Sequence, residues 1–162
     1  MVTSTLLLLT LLLHSATVLA WQNSWDRPLH FSCPENQYIY RVENRHDNYH
    51  EDRLWHHICR DLPTGARLGQ CTWRNDQNGL DGLFAFRCVG NRAVVGVDSR
   101  HYNHREDNHR VFGFLCCYIV GLRLDDCYVT SFINELDKFF SYWVPHNHTI
   151  TGMTSVHTNG IE

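Results

Sequence analysis

The sequence predicts an all-β domain, loop-rich, stapled by disulfides and built from three pseudo-repeats. Three observations carry this. A pattern of aromatic, cysteine and charged residues recurs at an offset of 55 positions, the mark of a repeated supersecondary unit. Seven cysteines follow an apolar leader, which in an oxidising compartment means bridges. Apolar and polar residues alternate with the period of a strand between frequent turn signals. Three like units admit approximate threefold symmetry, as in a trefoil or prism.

The first element is the leader, residues 1–20. An apolar run, Leu6 to Leu13, is followed by Val18 and Ala20, the −3 and −1 positions of a secretory cleavage site before Trp21. The run is too short to span a bilayer comfortably, and no later segment is apolar enough, so no membrane insertion is expected. Residues 21–162 are read as one domain, long enough for a real core. A net charge of −3 argues against a general nucleic-acid binder. Twelve histidines would turn that charge positive at mildly acidic pH.

The first unit opens with FSCPENQYIYRVENRH, Phe31 to His46, and closes with DRLWHHIC, Asp52 to Cys59. The second opens with FRCVGNRAVVGVDSRH, Phe86 to His101, and closes with HRVFGFLC, His109 to Cys116. The third is weaker: Tyr142, Ile150, Met153 and His157 fall on Phe31, Ile39, Val42 and His46, and Val144 takes the first cysteine position. In this register its closing motif would begin at residue 163. The sequence reading is therefore of an incomplete third repeat, a truncated product or fragment, whose closing motif would supply an eighth cysteine.

Alternation puts Arg53, Trp55, His57 and Cys59 on one strand face, and Arg110, Phe112, Phe114 and Cys116 on its counterpart. Cysteine and aromatics imply that this face is inward. Each arginine could lie over the neighbouring aromatic ring or pair with Glu43 or Asp98 of the adjoining strand. Turn signals stand at Pro34-Glu35-Asn36, Pro63-Thr64-Gly65, Asn78-Gly79, Asp81-Gly82 and Asn159-Gly160. Only Phe132 to Tyr142 reads as a short helix.

The paired F-x-C openings, the D-R-x-W closing motif, the doublet Cys116-Cys117 and the secretion signal together resemble the dermatopontin family, which includes the invertebrate haemagglutinin/amebocyte aggregation factor. The resemblance runs from about Trp25 to Glu162 by the repeat reading. Asp52, Arg53 and Trp55 carry the family hexapeptide in the first unit, where Leu54, His56 and His57 depart from it. Arg110, Phe112 and Phe114 carry it in the second. The resemblance implies a secreted matrix or adhesion protein of the extracellular space. Its partners would be proteoglycans, glycosaminoglycans, collagen or cell-surface receptors, with collagen fibril organisation or cell aggregation as the outcome. Self-association is a further expectation.

Repeat symmetry pairs Cys33 with Cys59. It leaves open whether Cys88 takes Cys116 and Cys71 takes Cys117, or the reverse. Cys127 is then unpaired if the chain is truncated. Each bridge contributes about 2–4 kcal/mol.

Catalysis is not expected. Asp52 and His50 could do acid–base work, but the second unit puts His109 where Asp52 stands, and no HExxH, nucleophile elbow or phosphate loop occurs. No metal site and no cofactor are expected either: His56, His57, His101, His104, His109, His146 and His148 form no compact ligand spacing. His46, His101 and His157 recur just after a strand and read as polar turn residues. The loops HDNYHED and HYNHREDNH are the candidate ligand sites, through Arg45, His46, Tyr49, Arg100, His101, Tyr102 and Arg105. Arginine forks suit sulfate and tyrosine faces suit sugar rings, and three such loops, the third opening with HTNGIE, would be multivalent. Asn147-His148-Thr149 is an N-glycosylation acceptor. Trp21, Trp25, Trp73 and Trp143 are read as core or rim packing. The rival readings are a sugar-binding agglutinin of innate defence and, in another class, a secreted metal-binding or enzymatic protein.

Overall fold

A computed structural model describes residues 20–78, 83–104 and 107–156; the leader, Arg105 and His157 lie outside them. Nine strands are present among the described residues: β1 (Leu29–Ser32), β2 (Gln37–Asp47), β3 (Asp52–Asp61), β4 (Arg67–Arg74), β5 (Leu83–Arg87), β6 (Arg92–His104), β7 (Asp107–Val120), β8 (Phe140–Trp143) and β9 (Gly152–Val156). They form sheets of order β1-β6-β7-β4, β3-β2-β8 and β5-β9. The fold is all-β, with no helix among the described residues. The segment from Phe132 read as a short helix is turn and coil, then β8. Asp137 stands there at φ 57°, in the left-handed region that a right-handed helix excludes, and Phe140–Trp143 bonds to the edge of β2 instead.

The strands sort into three units, β1-β2-β3, β5-β6-β7 and β8-β9, with β4 between the first two. The first strand of each unit leaves its own unit and pairs with the long strand of another: β1 with β6, β5 with β9, and β8 with β2. The registers correspond. Leu29 faces Ser99, Phe84 faces Ser155, and Phe140 faces Asn44, and these pairs are equivalent under the sequence offsets. Glycine permits two of these approaches: a Cβ on Gly96 would lie 2.7 Å from the Phe31 carbonyl oxygen, and one on Gly152 2.1 Å from that of Phe86. Cyclic connectivity is weaker than trefoil or prism symmetry, since the three sheets differ in strand number.

The exchange gathers one core from all three units. Leu29, Ile39, Trp55, Phe84, Val94, Val97, Phe112 and Phe114 are buried together, with Phe140, Ile150 and Met153 packed against them. Three bridges close it: Cys33–Cys59, Cys88–Cys116 and Cys71–Cys117. The last ties β4 to β7 beside a smaller cluster of Ala93, Val95 and Ile119. Cys127 is an exposed free thiol.

Candidate functional site

The closing strand of each of the first two units is clamped by an asparagine that precedes the unit. The Asn23 amide donates to the Arg53 carbonyl (3.0 Å) and accepts from the Trp55 N–H (2.8 Å). Asn78 does the same for Arg110 and Phe112, at 2.7 Å each. These bonds hold the strand's outer backbone while its inward side chains enter the core. Trp55 and His57 are buried there with Phe112, Phe114 and Cys116.

The junction of the first and second units is an ion cluster. Arg110 grips Asp52 with two N–H groups, Nε to Oδ1 at 2.6 Å and Nη2 to Oδ2 at 2.8 Å. Arg110 also donates to Ser99 Oγ at 3.2 Å and to the Arg27 carbonyl at 3.1 Å. Asp52 Oδ2 accepts in addition from the Asp26 backbone N–H at 2.7 Å. Burial alone would raise the Asp52 carboxyl, but the Arg110 hydrogen bond and charge outweigh it and hold it below the ordinary range. His101 closes the cluster, Nδ1 3.1 Å from Asp26 Oδ1 and Nε2 4.0 Å from Asp52 Oδ1. Both are close contacts, but neither ring nitrogen makes an aligned hydrogen bond. Burial pushes this imidazole toward its neutral form, against the pull of Asp52. Asp26, Asp52 and His101 are the described residues that could converge on a cation. Such an ion would face the Arg110 guanidinium, which already occupies both Asp52 oxygens.

The junction of the third and first units repeats the frame. Arg53 donates to Asn44 Oδ1, as Arg110 does to Ser99. Asp137 lies 3.5 Å from His46 Nδ1 and 3.6 Å from Arg53 Nη2; it is the counterpart of Asp26, at φ 57° against 58°. Burial lowers the Arg53 pKa, partly offset by Asp137 and Asp52.

Two sequence expectations are corrected here. The motif arginines neither stack on the neighbouring ring nor pair with Glu43 or Asp98. Glu43 and Asp98 face the opposite side of their strands from Asn44 and Ser99; Glu43 bonds Arg41 and Ser141, and Asp98 meets His30. His46 and His101 are not turn residues, because β2 and β6 run on through them and pair them with Arg53 and Arg110.

The candidate loop residues separate. Arg45, Tyr49 and Arg100 are exposed, and Arg100 pairs with Asp76. His46 and His101 belong to the junctions. Tyr102 stacks on His109 at 5.9 Å, and Arg105 lies outside the described residues. Asn147 is exposed in its turn. Trp25 stacks on His50 at 4.9 Å and Trp73 on His30 at 5.3 Å.

Two groupings of residues were not recognised from sequence, although Asn78, Asp81 and Trp143 were noted singly. One is Asn23/Asp26, Asn78/Asp81 and Asn134/Asp137, an N-x-x-D that extending the 55-residue offset upstream would have found. The other is a row on the outer face of the β3-β2-β8 sheet. Arg41 lies 4.3 Å over the Trp143 ring, Arg60 lies 4.3 Å over the Tyr40 ring, and the two rings meet edge-on at 5.5 Å. Trp143 is 53% exposed, so it is a surface ring rather than core.

Comparison with known proteins fits this architecture. The model of the family described as Dermatopontin matches residues 14–162. The chain is 34% identical over 142 residues to the haemagglutinin/amebocyte aggregation factor of Limulus polyphemus, covering 86% of this chain and 80% of that protein. It is 34% identical over 140 residues to Millepora cytotoxin-1 of Millepora dichotoma, covering 86% of this chain and 61% of the cytotoxin. It is 29% identical over 143 residues to dermatopontin of Biomphalaria glabrata, covering 88% and 93%. No solved structure matches the chain.

Proposed function

The chain belongs to the dermatopontin family, and from that premise we propose that it is a secreted adhesion protein binding anionic glycans outside the cell. Its ligands are the glycosaminoglycan chains of proteoglycans and glycosylated cell-surface receptors. Through them it aggregates cells or organises collagen fibrils, without catalysis.

The observation that carries the reading is the row Arg60, Tyr40, Trp143 and Arg41. Aromatic faces stack on the apolar face of a sugar ring, and guanidinium forks take sulfate or carboxylate. Arg45 projects from the same face of β2, four residues beyond Arg41, with Glu43, which bonds Arg41, between them. The same ladder also braces the sheet, so the test must separate binding from folding. Trp143→Ala and Arg60→Ala are expected to elute from immobilised heparin at clearly lower salt than the parent, with unfolding midpoints little changed. Unaltered elution from folded variants would remove the site.

A second reading, an agglutinin that recognises neutral sugar and has little matrix role, is favoured by the name of the Limulus relative. Haemagglutination blocked by a neutral monosaccharide but indifferent to heparin would select it.

A further inference from the structure

We propose that a hollow on the outer face of the β1-β6-β7-β4 sheet binds an alkylammonium group, the end of a lysine side chain presented by a partner polypeptide. Trp73 and His30 supply its aromatic faces, and Asp98 and Asn75 supply its acceptors. The inference goes beyond the anionic-glycan reading and does not depend on it.

The hollow arises from a difference between two equivalent faces. On the outer face of the β3-β2-β8 sheet, Arg41, His56 and Trp143 surround Glu43, whose side chain is 4% exposed. Under the sequence offsets these three positions become Gly96, Gly113 and Ser32 on the other sheet. Three large side chains give way to two glycines and a serine. Glu43 becomes Asp98, whose side chain is 33% exposed.

The registers bring the lining together. His30 of β1 pairs with Asp98 of β6, and Asp98 pairs with Gly113 of β7. On the far side of β7, β4 sets Trp73 opposite Leu115. Asn75 follows at the end of β4, and its side chain lies against the bare glycine: a Cβ on Gly113 would be 3.2 Å from Asn75 Oδ1. The Trp73 ring reaches back across the sheet and stacks on His30 at 5.3 Å. What remains is an open hollow of about 260 Å³ lined by His30, Trp73, Asn75 and Asp98. It is open enough for a small group to enter on the end of a longer chain.

The chemistry of the lining selects a cation. It holds a carboxylate and neither lysine nor arginine. Asp98 Oδ1 meets His30 Nδ1 at 3.1 Å, while Asp98 Oδ2 and the Asn75 carboxamide make no hydrogen bond to a described residue. Arg100, two residues along β6, is committed to Asp76. An ammonium brings three N–H donors and no acceptor, which suits a carboxylate beside an amide oxygen. The neighbouring π-systems favour the same charge. A sulfate or uronate would meet the Asp98 charge instead. The hollow and the arginine row of the other sheet therefore select opposite charges.

The test uses the full secreted chain, labelled with ¹⁵N. The probe is Nα-acetyl-lysine N-methylamide, and the control is the same molecule acetylated on Nε. The Trp73 indole N–H signal, assigned through Trp73→Phe, should shift saturably with the probe and stay in place with the control. Affinity should fall about fivefold in Asp98→Asn, as for one partly exposed charge pair, and should weaken as salt is raised. Asn75→Ala, a change at an exposed side chain, should weaken it as well. Both variants should keep the parent spectrum elsewhere. An equal shift with the acetylated control, or indifference to both Asp98→Asn and salt, overturns the inference. Methyl glucoside moving the signal more strongly than the probe would assign the hollow to a neutral sugar and overturn it too. So would methylammonium binding as tightly as the probe, because the free ion would then suffice without a side chain. Heparin elution should be unchanged in Asp98→Asn while it falls in Trp143→Ala, so the two readings fail separately.

Discussion

Arg110 and Arg53 are the same residue of the repeat in two surroundings. At the first junction the guanidinium is 6% exposed and its aspartate partner 1%; at the other Arg53 is 23% exposed and its nearest carboxylate, Asp137, is 51% exposed. The hydrogen bond to the neighbouring long strand is common to both, to Ser99 in one and Asn44 in the other. What differs is a bidentate carboxylate. The family motif is thus one half of a joint: its aspartate belongs to one unit and serves the arginine of the next. The motif's charges are spent between units, which is why neither reads as a catalytic acid or base.

The comparison predicts its own largest effect. Asp52→Ala leaves Arg110 as a buried charge without its partner, a loss of about 3–5 kcal/mol. It should lower the unfolding midpoint in urea far more than Asp137→Ala, whose carboxylate is half exposed and contributes about 1 kcal/mol or less. Equal losses would mean that the two junctions are energetically alike and the comparison is empty.

Next in size is a pH effect seated in the core. Burial pushes His57 down to about 3, with the charge of His56 adding to the shift. Its folded pKa lies below the unfolded value of 6.5, so the unfolded chain binds the extra proton. Its contribution is therefore complete above pH 6.5 and is lost as pH falls from there toward 3. Between pH 7 and 5 the cost is about 2 kcal/mol, at about 1.4 kcal/mol per unit. The Asp52 contribution begins to fail only lower, as pH falls below the ordinary carboxylate range. In His57→Phe the Gln22 side chain keeps the His57 backbone N–H as donor. Denaturation at pH 7 and 5 should then show a flattened slope. An unchanged slope would place the titration elsewhere.

Much of this frame was legible in the sequence, for definite reasons. The 55-residue offset shows because core positions such as Phe31 and Phe86, or Cys33 and Cys88, tolerate little change. The inward face of the closing strands shows because alternation has a single period. The clamp residues were harder to see. Asn23 and Asn78 stand in connections, with neither periodicity nor hydrophobicity to mark them, and their partners are 30 and 32 residues away. The row of Arg41 and Trp143 depends on β8 crossing to another unit; Arg41 meets Ser141 across 100 positions, which no local pattern encodes. The short-helix reading failed because apolar spacing from Phe132 imitates a helix face, while tertiary pairing claims Phe140–Trp143 for a sheet.

The clamps sharpen the comparison further. Asn78→Ala removes one donor and one acceptor from the buried backbone of Arg110 and Phe112, a loss of about 1–3 kcal/mol for groups left unpaired. Asn134→Ala removes only a bond to its neighbour's carbonyl and should change stability by about 0.5 kcal/mol or less. Calorimetric melts of the two single variants decide this. A loss in Asn134→Ala as large as that in Asn78→Ala would show that its amide already holds something structural.

The smallest effect on stability gives the finest discrimination. Asn147 is both the counterpart of Asn36 and the acceptor of an Asn-x-Thr sequence. An N-glycan on its amide would sit on the group whose counterpart, the Asn36 side chain, accepts from the Leu68 N–H of β4. The informative change is Thr149→Ala, which removes the sequon and keeps the amide. Thr149 Oγ1 is buried without a hydrogen-bond partner, so its removal should cost no more than about 0.5 kcal/mol and can be mildly stabilising. Protein secreted from eukaryotic cells should lose its glycan mass on this substitution and keep its melting temperature. An unchanged mass would mean that Asn147 carries no glycan.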